Sequence, residues 1–181
     1  MLTREQLSKY QKLVLSYLER AQIRLTDREK KNIEIADFGL GELEKEGLQI
    51  VTYVNTERCC AKELILFPNQ TCPEHRHPSI EERLGKEETF RCRWGKVYLY
   101  VEGISIFPIK AVVPKGKEAV YTVFHEIELN EGEQYTLGPN TLHWFQAGEE
   151  GAIISEFSTR STDEEDIFTD PCIRRIPEIE D

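Results

Sequence analysis

Three histidines and one glutamate are the residues of this chain whose types and spacing could hold a metal ion. His75 and His77 stand at i and i+2 in EHRHP, and such residues point to the same face of an extended strand, so both rings can reach one ion. Glu88 follows at the head of ETFRCRWG, and His143 lies far downstream in LGPNTLHWF. Imidazole and carboxylate ligands suit Mn, Fe, Co, Ni or Zn and leave coordination positions for water or substrate. The pattern predicts a metal site.

Glu88 is preferred over the neighbouring glutamates because of the strand that follows it. Alternation from Glu88 predicts a half-buried strand with this carboxylate on its apolar face, whereas Glu87 would lie on the polar face. The predicted inward residues are Phe90, Cys92 and Trp94, and the predicted outward residues are Thr89, Arg91 and Arg93. An inward carboxylate without a partner is costly, and a metal ion removes that cost. The alternative is that the four residues act separately, as surface histidines, a salt-bridged glutamate and one core histidine.

The elements that would position these residues change type after the first forty or so positions of the chain. Thr3 begins a capping box, and the apolar spacing after it predicts a helix from Arg4 to Gln22, while a second box at Thr26 predicts a short helix. Short β-rich runs then alternate with turns that contain Gly, Pro or Asn, which is typical of a sandwich or small barrel. The predicted runs are 48–54, 63–67, 89–94, 96–101, 119–129, 133–137 and 152–158.

Length and composition exclude several classes of protein. The 181 residues fit one domain, which we divide into a helical extension (1–38), a barrel (48–160) and a tail (161–181) that wraps the barrel surface. A net charge of −10 without a basic patch argues against nucleic acid as a partner. No apolar run approaches the roughly 18–20 residues of a membrane span. The charged N-terminus is not a secretory signal, and five irregularly spaced cysteines favour a reducing compartment, so we expect a cytoplasmic protein.

Two motifs resemble those of the cupin superfamily. The first runs from His75 through Glu88 to Gly95, and the second from Gly132 to His143. The interval between the second histidine and the glutamate is longer than is usual in cupins. Within the superfamily, the strings EHRHP, GKEETFRCRWGKVYLYV and EFSTRSTDEEDIFTDP resemble the D-lyxose isomerases, a group that shares the longer interval. The resemblance implies an all-β fold, namely a jelly-roll-like cupin β-barrel with an N-terminal α-helical extension.

The D-lyxose isomerases are manganese-dependent cupins that interconvert aldoses and ketoses, and the resemblance implies the same activity here. We expect D-lyxose and D-xylulose to be interconverted by proton transfer through a cis-enediol, with D-mannose and D-fructose as a related pair. The implied cofactor is one divalent ion, Mn2+ first, and the ligand types leave Fe2+, Co2+, Ni2+ and Zn2+ open. A homodimer is also implied by the resemblance, since composition does not show one.

Two charged residues in apolar runs are candidates for the acid and base of such a reaction. Glu156 lies in AIISEFS and Lys110 in FPIKAVV, and each would be functional if it points inward and merely solvated if it points outward. An inward pair would favour an isomerase over two rivals. These are an iron-dependent cupin dioxygenase that uses the same four ligands, and a non-catalytic cupin that binds metal and sugar.

Four further residues are candidates for substrate binding. Lys62 precedes an apolar strand, and its alternative role is that of an ordinary strand-edge lysine. Arg160 and Asp166 lie in the family-like tail, where they could hydrogen-bond sugar hydroxyls or belong to a solvated charge run. Phe90 could form a wall against one face of the sugar or belong to the barrel core.

Overall fold

The computed structural model describes residues 2–176 and 179–180, which form a curled β-sheet with a helical segment on its outside. The helices are α1 (Arg4–Arg20) and α2 (Asp27–Lys31), and the strands are β1 (Leu2–Thr3), β2 (Glu34–Ala36), β3 (Leu48–Asn55), β4 (Cys60–Leu66), β5 (Thr71–Arg76), β6 (Glu88–Val101), β7 (His125–Asn130), β8 (Gln134–Leu137), β9 (His143–Ser158), β10 (Ile167–Phe168) and β11 (Ile179–Glu180). Within these described ranges, no helix is long and apolar enough to cross a membrane.

The N-terminal helical segment forms as predicted because its first turn is capped. The backbone N–H of Gln6 donates to the Thr3 hydroxyl at 3.2 Å, and the Thr3 N–H donates to the Gln6 side chain at 2.9 Å. A cap of this kind contributes about 0.5–2 kcal/mol to helix stability. α1 ends at Arg20, slightly before the predicted end, and α2 begins with an equivalent box at Thr26. The buried face of α1, which includes Val14 and Leu18, packs on the outer surface of the sheet.

Two long strands, β6 and β9, organise the sheet. They pair antiparallel over most of their length, and β9 also pairs with β5 through its first half and with β4 through its second half. The strand order is β10-β5-β9-β4-β3-β2, and β7 and β8 pair with β6. Because β6 and β9 bond different partners along their length, the sheet curls around an apolar interior. The predicted all-β barrel with an N-terminal helix is confirmed.

A β-bulge in β6 decides which side of the sheet Trp94 faces. Glu88, Phe90 and Cys92 are buried on the inner side, as alternation predicts. The register of β6 on β9 shifts between Cys92 and Trp94, and the extra residue breaks the alternation. Trp94 therefore lies on the outer side, where its ring meets the ring of Tyr17 edge-on at 5.6 Å. The predicted inward orientation of Trp94 is wrong.

Gly95 lies within a strand, where its backbone passes close to the backbone of β9, and not in a turn. The predicted runs 89–94 and 96–101 are therefore one continuous strand, β6. A Cβ atom at Gly95 would lie 2.2 Å from the carbonyl oxygen of Gly151 in β9, and the backbone φ of Gly95 is +76°. Only glycine allows the two backbones to approach so closely in this conformation.

The segment before β7 is a loop for most of its length. The predicted run 119–129 pairs as a strand only from His125 onward, and residues 102–124 contain one 3-10 turn and no strand. The loop is nonetheless packed, because Tyr121 lies edge-on against Trp144 of β9 at 4.8 Å and both side chains are buried.

The chain after β9 returns to the strand that holds the first two histidines. β10 pairs antiparallel with β5, which places Ile167 opposite Arg76 and Phe168 opposite His75. Further on, Arg175 forms an ion pair with Glu34 at the start of β2. The tail therefore crosses the barrel next to the predicted site.

Candidate metal centre

The predicted histidines meet where two neighbouring strands pair. His75 lies directly opposite His143, the first residue of β9, and His77 follows the end of β5 by one residue. One side-chain nitrogen of each histidine lies within 4.8 Å of the others, and all three side chains are buried. The i, i+2 spacing and the β5–β9 register therefore bring three imidazoles to one point inside the barrel.

The Nδ1 atom of each imidazole faces an oxygen acceptor. Nδ1 of His75 and Nδ1 of His143 donate to the backbone carbonyl two residues earlier, at 2.7 Å and 3.0 Å respectively. Nδ1 of His77 donates to the carboxylate of Asp166. A neutral imidazole protonated on Nδ1 has its free lone pair on Nε2. All three rings thus carry a proton on Nδ1, which leaves Nε2 as the atom that can bind a metal.

Glu88 completes the cluster from the start of β6. Its Oε1 atom lies 3.1 Å from Nε2 of His77 and 3.2 Å from Nε2 of His143, and its side chain is buried. Burial by itself would raise the pKa of Glu88, but Lys86 and His77 beside it hold that pKa well below its usual range. The carboxylate is therefore ionised and available as a ligand.

The four side chains fit a divalent cation. The Nε2 atom of His143 is buried and has no hydrogen-bond partner among the described residues, a costly state that a metal ion would relieve. Burial, followed by the neighbouring His143 and His77, lowers the pKa of His75 well below its usual value, which keeps that imidazole neutral. Burial and Lys86 would lower the pKa of His77, but Glu88 and Asp166 raise it to about 9, so a metal would displace a proton from this ring. Three imidazoles and one carboxylate are a donor set that Mn, Fe, Co, Ni and Zn accept.

Lys86 is a buried cation that the sequence argument did not include. Its Nζ atom lies 2.7 Å from Glu88, 3.1 Å from Glu156 and 4.0 Å from Asp163. Burial alone would lower the pKa of Lys86, but Glu156, Glu88 and Asp163 around it raise that pKa well above its ordinary value. The alternation used for Glu88, extended two residues backwards, would have placed Lys86 on the same inward face.

Glu156 points into the barrel next to this lysine. Its register on β9 sets it opposite Lys62 of β4 and Phe90 of β6, and its side chain is buried. The Oε1 atom accepts hydrogen bonds from Lys86 and from the hydroxyl of Ser158, each at 3.1 Å. Of the two orientations that the sequence left open for Glu156, the structure has the inward one, and the cation beside it is Lys86.

Lys110 does not face the site, contrary to expectation. It lies in the loop before β7, where its side chain is 54% exposed and pairs with Glu126 and Glu128. The apolar residues around Lys110 suggested a strand, but they belong to the loop of residues 102–124. The expectation of an inward Glu156–Lys110 pair is therefore wrong for the lysine.

The four predicted substrate residues lie in different settings. Lys62 and Phe90 line the cavity beside the histidines, and the Nζ of Lys62 donates to Ser161 at 2.8 Å. Asp166 also lines the cavity, but its carboxylate accepts a hydrogen bond from Nδ1 of His77. Arg160 is about half exposed and pairs with Glu57. It does not line the cavity, but it lines a surface cleft that His77 and Lys86 also line.

The tail contributes two charged cavity residues that sequence reasoning missed. Asp163 lies 2.6 Å from Lys62 and 2.9 Å from Arg175, and all three line the cavity. Burial would raise the pKa of Asp163, but Lys62, Lys86 and Arg175 hold that pKa well below its usual range. Within a tail rich in charges, no local pattern marks which residues turn inward.

Comparison with known proteins identifies sequence relatives over the full chain. Residues 16–181 match the family model described as D-lyxose isomerase. The chain is 65% identical over 181 residues to the D-lyxose/D-mannose isomerase of Thermosediminibacter oceani, which covers 100% of both chains. It is also 62% identical over 167 residues to the D-lyxose ketol-isomerase of Cohnella laeviribosi, with 92% of each chain covered.

The fold is shared with more distant solved structures. An L-ribose isomerase from an Acinetobacter species, in complex with L-ribose, has a TM-score of 0.80 at 15% identity and covers 99% of this chain and 98% of its own. The L-ribose isomerase of Cellulomonas parahominis, with L-ribose, has a TM-score of 0.79 at 15% identity over 95% and 94% of the two chains. The likeness at this identity concerns the fold, and it supports the expected cupin-like barrel.

Proposed function

Because the chain belongs to the D-lyxose isomerase family, we propose that it interconverts D-lyxose and D-xylulose, with D-mannose and D-fructose as a related pair. The observation that supports this most directly is the convergence of three imidazoles and Glu88 beside a buried Lys86–Glu156 ion pair. The family relatives named as D-lyxose and D-mannose isomerases support the choice of sugars.

We propose that His75, His77, Glu88 and His143 hold one divalent cation, with Mn2+ as the first candidate. Such an ion polarises a sugar carbonyl and stabilises negative charge on neighbouring oxygens. Among the described residues, one histidine-rich cluster of this kind is present. One ion per chain supports proton transfer, because a hydride shift between carbons normally depends on two metals.

The proton transfer is assigned to Glu156. Moving a carbonyl from C1 to C2 requires that a proton leave C2 and that a proton reach C1. The Glu156 carboxylate takes the C2 proton, becomes a carboxylic acid, and returns the proton to C1 on the same face of the cis-enediol. Its side chain is buried on the inner wall and lines the cavity, where it can meet the sugar carbons. The C2 hydroxyl gives up its proton and the C1 oxygen takes one up. The aldehyde thus becomes an alcohol and the C2 alcohol becomes a ketone, with no net change in protons or electrons.

Lys86 is assigned to the sugar oxygens. The surrounding carboxylates keep its ammonium group protonated. One of its three N–H groups donates to Glu156 at 3.1 Å, and another can donate to a sugar oxygen. An ammonium fixed in a buried site stabilises the negative charge that develops on the enediol oxygens. Lys86 thus takes the role that sequence reasoning gave to Lys110.

The far end of the sugar is assigned to the residues that flank Glu156 on the neighbouring strands. Lys62 presents a charged group there, and Phe90 presents an apolar ring. Asp163 and Arg175 extend the polar wall.

The test is metal-dependent ketose formation. The protein is stripped with a chelator, reloaded separately with Mn2+, Fe2+ or Zn2+, and assayed with D-lyxose and D-mannose. We expect D-xylulose with at least one metal and, in heavy water, deuterium at C1 of the ketose, because Glu156 exchanges its proton with solvent. No ketose with any metal would refute the proposal, and complete absence of deuterium would refute the proton-transfer route.

Two rival functions are separated by the same samples. Oxygen uptake by the iron-loaded protein, without ketose, would identify a cupin dioxygenase. Thermal stabilisation by sugar without turnover would identify a non-catalytic sugar-binding cupin. The expected homodimer stays a prediction that light scattering measures, and the expected cytoplasmic location stays a prediction that cell fractionation measures.

A further inference from the structure

His77 differs from the other two histidines in what holds its ring. The Nδ1 atoms of His75 and His143 donate to the carbonyls of Pro73 and Thr141, each two residues earlier on the same segment. Nδ1 of His77 instead donates to the Asp166 carboxylate, which is 89 residues away in sequence. One ligand of the proposed metal site is thus oriented by a distant part of the chain and by a charged group.

Asp166 belongs to a segment that contacts the site at more than one point. We call residues 159–176 the C-terminal strap. In addition to the Asp166–His77 contact, Phe168 of the strap stacks on the ring of His75 with 5.3 Å between centroids. The backbone N–H of Thr169 donates to the carbonyl of Glu74 at 3.0 Å, next to that histidine. Two of the three imidazoles therefore pack directly on strap residues.

We propose that Asp166 is a positioning residue that couples docking of the C-terminal strap to metal binding through His77. This inference rests on the metal site of the proposed function. A carboxylate on Nδ1 fixes the tautomer and orientation of a ligating imidazole and makes its other nitrogen a stronger ligand. Metal on Nε2 in turn makes the Nδ1–H more acidic, so its hydrogen bond to Asp166 strengthens. Coupling of this kind is reciprocal: what the strap adds to metal affinity, the metal adds to strap docking.

The strap also provides a matched control. Asp170 lies four residues from Asp166, and the two side chains are buried to nearly the same extent, 7% and 6% exposed. Asp170 pairs with Lys117 and accepts a hydrogen bond from the backbone N–H of Cys172, away from the histidines. Replacing either aspartate with asparagine removes one buried charge from the strap, but only Asp166→Asn removes a charge from a histidine.

The experiment measures Mn2+ binding by competition with a chelator in the wild type, Asp166→Asn and Asp170→Asn. We expect Asp166→Asn to weaken Mn2+ binding by about 10- to 100-fold, the usual effect of losing such a partner of a ligand. Asp170→Asn should keep the wild-type affinity even if it unfolds at a lower temperature. Wild-type affinity in Asp166→Asn, or an equal loss in both variants, would overturn the proposal.

Amide hydrogen exchange tests the reciprocal effect on the strap. Mn2+ should slow exchange in residues 163–170 of the wild type, and the slowing should shrink in Asp166→Asn by the factor lost in affinity. This comparison needs only the wild type if the variant does not fold, and equal exchange with and without Mn2+ would overturn the coupling. A raised KM for the sugar with unchanged Mn2+ affinity in Asp166→Asn would instead show that Asp166 binds the sugar, and would overturn the proposal. A wild type that binds no Mn2+ would refute the metal site itself.

Discussion

Replacing Glu156 with glutamine separates proton transfer from assembly of the site. The amide keeps the shape of the side chain and an oxygen that can accept from Lys86 and Ser158, both now at 3.1 Å. Lys86 retains the Glu88 carboxylate at 2.7 Å, so its charge remains paired. The fold and the metal should survive, because Glu156 lies outside the group of four proposed ligands. An amide cannot accept the carbon-bound proton.

The expected magnitude follows from that single missing step. General acid–base catalysis contributes about 10²- to 10⁴-fold to a rate. At about 1.36 kcal/mol for each factor of ten, Glu156→Gln should raise the barrier by about 2.7–5.4 kcal/mol. The assay is the initial rate of ketose formation from D-lyxose by Mn2+-loaded protein, with bound Mn2+ measured on the same sample.

The matched control for this variant is Glu63→Gln. Glu63 is also buried and lies on β4, but its carboxylate accepts from the hydroxyl of Ser155 at 2.9 Å and does not line the cavity. The control should turn over at the wild-type rate. Full turnover by Glu156→Gln would refute its role as base. Loss of both bound Mn2+ and turnover in Glu156→Gln would show that Glu156 is needed to assemble the site. That result would refute a role in proton transfer alone.

Three further predictions concern the buried charges. His77→Ala or Glu88→Ala should abolish both Mn2+ retention and turnover, and metal bound at the wild-type level in either variant would contradict its place in the ligand set. Lys86→Met leaves buried carboxylates without their cation, so it should lower the free energy of unfolding by about 3–5 kcal/mol. Urea denaturation of protein stripped of metal by a chelator measures this change. An unchanged urea midpoint would contradict a stabilising role for the buried ion pair. Burial would raise the pKa of Asp163, but Lys62 and its neighbours hold that pKa low. The ionised Asp163 therefore stabilises the folded protein above the unfolded aspartate pKa of about 3.9, and this stabilisation is lost as pH falls below that value. The stability difference between wild type and Asp163→Asn should therefore narrow below about pH 4, and a difference independent of pH would contradict this.

The residues proposed to bind metal could be selected from the sequence because local periodicity decides which side chains share a face. The i, i+2 spacing puts His75 and His77 together on any extended segment, and alternation puts Glu88 on the face of Phe90. The capped helix at the N-terminus is local in the same sense, since the bonds between Thr3 and Gln6 lie within one turn. His143 could be named from its residue type and motif, but its place beside the other two histidines depends on strand pairing.

Only the tertiary structure decided which lysine lies beside the proposed ligands and which tail residues contact them. Lys110 and Lys86 both stand in loops. Strand alternation can be extended backwards from β6 to Lys86, but tertiary packing decides whether a loop keeps that alternation. The Asp166–His77 contact joins residues far apart in the chain, and it exists because β10 pairs with β5. Local spacing determines the face of a strand, whereas a partner in a distant segment is selected by strand register and by the free energy of burying both groups together.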